Sequence, residues 1–67
     1  MNEHPLRTYR TRVGLTLEEV AAQAVTTKET ISRIELGRRT PSLAMAARLS
    51  EATGLPLAVF VRHKATT

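Results

Sequence analysis

The side chains most often used as nucleophile, base or acid are few here: Ser32, Ser42 and Ser50, two histidines and six acidic residues, all glutamate, with no cysteine. Nucleophilic catalysis needs a hydroxyl beside a base that a third group orients, and none of the three serines has such companions. Glu18 and Glu19 are adjacent, so on a helix they diverge by about 100° and cannot work as an acid–base pair. Near a helix start they favour the dipole instead. His4 and His63 stand at opposite ends of the sequence without Cys or Asp beside them, which does not make a metal set. The chain is therefore expected not to be an enzyme, with no catalytic residue, no metal and no cofactor.

Charge is the remaining chemistry. Ten Lys and Arg stand against six acidic residues, giving net +4 and a pI near 10.8. A basic balance on so short a chain points to polyanionic partners, nucleic acid or an acidic membrane surface. No apolar run approaches the roughly 18 residues of a membrane span. The start, Met1-Asn2-Glu3-His4-Pro5, has no apolar stretch of the kind a signal peptide carries. With no cysteine, the expected location is a reducing cytoplasm.

Sixty-seven residues make one domain. Domains of this size bury roughly 60% of their unfolded surface, so a homodimer or a partner protein is a natural supplement to the core. With one Tyr, one Phe and no Trp, that core must be aliphatic.

Apolar periodicity predicts five short helices and no strand. The first runs from Pro5 to about Val13, with Leu6, Tyr9 and Val13 on one stripe and Arg10 on the same stripe. The second runs from Leu17 to Ala24, with Leu17, Val20, Ala21 and Ala24 inward and a Thr16-x-x-Glu19 capping box at its start. The third covers Lys28 to Leu36, capped by Thr26 or Thr27. The fourth follows Pro41, with Ser42 as N-cap and Leu43, Ala46, Leu49 and Ser50 near the inner face. The fifth spans Leu57 to about Arg62, with Leu57 and Phe60 expected in the core. Gly14, Gly37 and Gly54 each follow a helical stretch, where a left-handed C-terminal cap belongs. The expected layout is an N-terminal arm at 1–4, a compact all-α domain at 5–62 and a tail at 63–67. The C-terminal segment is more apolar than one short helix requires, so Val59, Phe60 and Val61 are candidates for a two-fold homodimer contact.

The second and third helices are separated by only a few residues and must cross steeply, as in a helix-turn-helix. On the third, Thr27, Ile31, Ile34 and Glu35 project to one side, which faces inward. Lys28, Glu29, Ser32 and Arg33 project to the other, a polar and partly cationic face without bulky apolar groups. Such a face suits a major groove about 12 Å wide. Arg10 and Glu35 are opposite charges on otherwise apolar stripes; because a singly buried charge is costly, they are expected to pair.

At this point the chain resembles a known family. Leu6-Arg7, Tyr9-Arg10, Gly14-Leu15-Thr16, Glu18-Glu19-Val20-Ala21, Thr30-Ile31-Ser32-Arg33-Ile34-Glu35 with Gly37, Pro41-Ser42-Leu43 and Gly54-Leu55 through Phe60 match the phage-repressor and Cro-type helix-turn-helix domain, also called lambda-repressor-like or Xre-type. The resemblance covers nearly the whole chain. It implies a five-helix domain that binds operator DNA, usually as a dimer. By position, Thr27, Lys28, Glu29, Ser32 and Arg33 become the recognition surface, with Thr16, Leu17, Arg38, Arg39 and Thr40 at the DNA backbone. Several family members also carry an ion pair like Arg10–Glu35.

Two positions depart from the family pattern. Leu17 stands where Gln is common and cannot donate a side-chain hydrogen bond, although its amide could face a phosphate. Val25 stands at a turn position where Gly is common, and valine tolerates positive φ poorly. Glu29 has several readings: partner of Thr26 in a capping box, acceptor for a cytosine amino group, or a charge that repels wrong sites. The expected function is a small repressor, bacterial or phage in origin, that binds a palindromic operator in double-stranded DNA as a homodimer. An antitoxin or controller protein that regulates its own operon, with a toxin or other regulator as partner, fits the same residues. So does a protein-interaction adaptor on this fold.

Overall fold

The computed structural model describes residues 3–61. Among them the chain forms α1 (Pro5–Val13), α2 (Leu17–Gln23), α3 (Lys28–Glu35) and α4 (Leu43–Thr53), followed by a single 3-10 turn at Leu57–Val59, with no strand. None of these helices is long and apolar enough to cross a membrane.

Each α-helix starts on a side-chain cap that satisfies a backbone N–H otherwise left without a partner. Thr16 Oγ1 accepts from the Glu19 N–H at 3.1 Å while Glu19 Oε1 accepts from the Thr16 N–H at 2.7 Å, a complete capping box. Ser42 Oγ accepts from the Met45 N–H at 3.1 Å. For α3 the cap is Thr27, whose Oγ1 accepts from the Thr30 N–H at 3.3 Å. The Thr26–Glu29 box therefore does not form: the chain enters the helix one residue later, and Thr27 is spent on the exposed cap rather than packed inward.

The cap of α1 was not legible from residue type. Pro5 occupies the first helical position, so the cap falls on His4, and His4 Nδ1 accepts from the Leu6 N–H at 3.0 Å. Partial burial lowers the His4 pKa, with Glu35 acting in the opposite sense, which favours the neutral ring that this acceptor role needs. Glu3 is tied to the same turn, accepting from Thr8 Oγ1 at 2.9 Å. Met1, Asn2, Arg62 and the tail at 63–67 lie outside the described residues.

The core draws residues from all four α-helices and from Phe60 after the 3-10 turn: Leu6, Val20, Ala21, Ala24, Ile31, Ile34, Met45, Ala46, Leu49 and Phe60, with Leu15, Leu17, Leu55 and Val59 packed at its edge. Several expected core positions are corrected. Val13 is 46% exposed because α1 stops there and the following turn swings Leu15 against the core instead. Leu43 is exposed, since the inner face of α4 runs through Met45, Ala46, Leu49 and Thr53, about one residue out of phase with the stripe that Leu43 begins. The expected fifth helix is only the 3-10 turn. Its two bonds, Val59 N–H to Pro56 O at 3.0 Å and Phe60 N–H to Leu57 O at 2.9 Å, deliver Phe60 into the core and leave Leu57 40% exposed. Phe60, only 2% exposed, is thus filled by its own domain and offers no surface to a second copy.

α1, α2 and α3 end in the same way. A residue at the helix C-cap or just after it takes a left-handed conformation, and two backbone bonds reach back three and five residues, the Schellman arrangement. After α1 the bonds are Gly14 N–H to Thr11 O and Leu15 N–H to Arg10 O; after α3 they are Gly37 N–H to Ile34 O and Arg38 N–H to Arg33 O. After α2 they are Val25 N–H to Ala22 O at 3.3 Å and Thr26 N–H to Ala21 O at 2.9 Å, so a β-branched residue holds φ at +58° where the other two helices use glycine. The Val25 side chain is 73% exposed, so packing does not compensate the strain.

A left-handed conformation costs a residue with a Cβ about 1–2 kcal/mol, of which glycine's greater unfolded-state freedom offsets up to about 1. Val25→Gly is therefore expected to stabilise the domain by about 1 kcal/mol, or about 4–8 °C in Tm for a domain of this size. Thermal unfolding followed by circular dichroism checks this, and an unchanged or lower Tm would contradict the strain.

Candidate nucleic-acid interface

The turn from Ala24 to Thr27 is short because the Schellman bonds reverse the chain at once, and α3 leaves it packed against α2. Arg48, on α4, secures the turn from behind: its Nε donates to the Ala24 carbonyl at 2.8 Å. Sequence reasoning missed this contact. The two residues lie 24 positions apart, and no local pattern marks the pairing.

The faces of α3 are then fixed by the core. Ile31 and Ile34 are buried against the other helices, which turns Lys28, Glu29 and Arg33 to solvent and leaves Ser32 half-buried at the margin. Beside this face the beginnings of α2 and α3 converge on a shallow groove, where Thr16, Leu17 and Glu18 meet Lys28, Glu29 and Ser32. Lys28 Nζ lies 3.2 Å from Glu18 Oε2 across it. Leu17 is half-buried and packs on the core, so the groove has an apolar patch on its floor where a hydrogen-bonding side chain would make it polar.

The remaining backbone candidates lie elsewhere. Arg38, Arg39 and Thr40 follow α3 and are exposed, and Arg39 and Thr40 flank a second, smaller depression of about 140 Å³ with His4, Val59 and Val61. The structure thus brings together Thr16, Leu17, Lys28, Glu29 and Ser32. Arg39 and Thr40 lie apart from that groove, against the C-terminal segment. Of the apolar residues in that segment, Val61 is 39% exposed and Val59 half-buried. No group of three or more His, Cys, Asp or Glu among the described residues is placed to hold a metal ion.

Arg10 ties this arrangement to the rest of the domain. Its Nε donates to Glu35 Oε2 at 2.8 Å and its Nη2 to Glu35 Oε1 at 3.0 Å, a two-pronged ion pair between α1 and the last residue of α3. Its Nη1 donates to the Leu15 carbonyl at 3.1 Å, in the turn that leads into the α2 capping box. The side chains are 15% and 5% exposed, so the pair is largely withdrawn from water. The hydrogen bond to Glu35 raises the Arg10 pKa, outweighing desolvation. Among the described residues every buried side-chain nitrogen and oxygen has a partner, so this charge pair leaves nothing unsatisfied.

Comparison with known proteins agrees with this geometry. A family model described as helix-turn-helix matches residues 6–60. An uncharacterized HTH-type transcriptional regulator of Methanothermobacter thermautotrophicus is 43% identical over 49 residues, which is 73% of this chain and 71% of that protein. No solved structure matches the chain.

Removing one partner of a buried ion pair leaves the other uncompensated and costs about 3 kcal/mol or more, whereas replacing both with apolar residues costs far less. Arg10→Met and Glu35→Leu are each expected to lower unfolding free energy by about that amount. The double variant should lose at least about 1 kcal/mol less than the sum of the singles. Urea unfolding of the four proteins measures the coupling; additive losses would show that the pair does not act as a unit.

Proposed function

Because this chain belongs to the Cro/C1-type helix-turn-helix family of DNA-binding transcriptional regulators, we propose that it is a small cytoplasmic repressor that binds a palindromic operator in double-stranded DNA as a homodimer. The observation that carries this reading is the two-sided character of α3, with Ile31 and Ile34 committed to the core, Lys28, Glu29 and Arg33 left to solvent, and Lys28 and Glu29 lining an open groove. In the major groove Arg33 has the reach to address the O6 and N7 acceptors of guanine, and Glu29 can accept from a cytosine amino group. Thr27, Lys28 and Ser32 complete the reading face. Thr16, Leu17, Arg38, Arg39 and Thr40 position the protein on the sugar–phosphate backbone and carry no sequence information themselves.

A homodimer would place two copies of α3 about one helical turn apart on the duplex. Phe60 is engaged in the core, so the contact between copies falls to the exposed Val61 and Leu57 and the accessible edge of Val59.

Selection of bound sequences from a random duplex library, with affinity then measured at 50 and 200 mM salt, tests the reading. It predicts an enriched palindrome. If four arginines of a dimer neutralise phosphates, affinity should fall about a hundredfold between the two salt conditions. Selection without an enriched motif, with binding weak at both conditions, would contradict it and assign the same fold to a protein partner.

A further inference from the structure

Lys28, the first residue of α3, lines the groove where α2 and α3 begin, as does Arg10, which is committed to Glu35; Lys28 in turn is engaged by Glu18, the second residue of α2, at 3.2 Å. Both side chains are more than half exposed, so the ion pair is open to solvent, weakened by salt and displaceable by another anion. The Glu18 carboxylate is held below the usual carboxylate range by its own backbone N–H and then by Lys28, so it remains charged at neutral pH. No other acidic side chain pairs with a cation of this face among the described residues; the remaining pairs, Arg7–Glu3 and Arg10–Glu35, involve α1.

Resting on the DNA-binding reading above, we propose that Glu18 is an internal competitor of DNA for Lys28, and so a residue that limits non-specific affinity, in which Lys28 meets phosphate instead of the base edges it reads at an operator. A phosphate or base approaching the groove must displace the Glu18 carboxylate from the ammonium before Lys28 can bind it. Non-specific binding, which depends almost wholly on cations meeting phosphates, is thereby held down. Among the described residues no carboxylate lies within ion-pair distance of Arg33, which stays available for base contact. Glu18 is a positioning residue here, acting on DNA through Lys28.

The test is a double-mutant cycle on the full chain. A random-sequence duplex serves as probe, and binding is measured by fluorescence anisotropy over a range of salt concentrations. Glu18→Gln is expected to bind about three- to tenfold tighter than wild type at low salt. Its plot of log affinity against log salt should be steeper by about 0.9, the signature of one added phosphate contact. In a Lys28→Gln background the same substitution should change affinity less than about twofold. Both sites are exposed, and circular dichroism establishes that the variants stay folded. Equal gains in the two backgrounds would mean that Glu18 acts only as a repelling charge, and no gain would mean that it does not compete; either result overturns the proposal while leaving DNA binding intact. If neither wild type nor Glu18→Gln binds duplex at low salt, the DNA-binding reading itself falls.

Discussion

The guanidinium of Arg10 makes three hydrogen bonds that no other side chain could replace together. Two go to Glu35 at the end of α3 and one to the Leu15 carbonyl just before α2 begins. Through them the ends of α1 and α3 and the entry to α2 are set against one another by a planar fork whose geometry admits little variation. A buried ion pair is weak evidence of net stability. Its consequence here is orientation: with α1 tied to both halves of the helix-turn-helix, the outer face of α3 and the beginning of α2 open on the same groove.

The turn between α2 and α3 depends on a second constraint. It needs a left-handed residue, and Val25 supplies one at a conformational cost that Gly14 and Gly37 avoid in the corresponding turns. Backbone bonds from Val25 and Thr26, and the Arg48 bond to Ala24, hold the turn in place despite that cost. Strain that persists because its surroundings over-determine it is common where a segment must be aimed, and this turn aims α3. The pair Glu18–Lys28 adds an electrostatic term to the same junction, joining the first turns of the two helices on the solvent side.

What the sequence made legible was mostly local; the exception is Arg10–Glu35, 25 positions apart, readable because two opposite charges interrupt apolar stripes. The Thr16–Glu19 box and the Ser42 cap depend on side chains three residues from their targets, and both formed. The left-handed turn at Val25 was readable only through the family resemblance, in which glycine is common at that position. On α4 the inner positions of Ala46 and Leu49 were read correctly, but helical spacing alone leaves the edge of the stripe open, and a flexible Met45 took the inner position that Leu43 had the chemistry to fill. The last segment was misjudged in kind: five apolar residues suggested a helix, but burying Phe60 three residues beyond the Leu57 start requires only one 3-10 turn. In the candidate site, the outer face of α3 followed from the periodicity of Ile31 and Ile34. The Arg48–Ala24 and Glu18–Lys28 contacts could not, since each joins residues brought together only by the packing of whole helices. His4 had a signal in the proline after it, which fixes where the helix begins, but histidine is not among the residues that usually cap one.

The groove and outer face formed by α2 and α3 are the surface proposed to meet DNA. Amide chemical-shift mapping by NMR during titration with a short duplex tests it most directly. The largest shifts are expected within residues 16–18, 27–33 and 38–40, with Gln23, Glu51 and Ala52, which line a separate depression, little changed. Large shifts centred on 57–61 or on the Gln23–Glu51 side, with α3 unmoved, would contradict it.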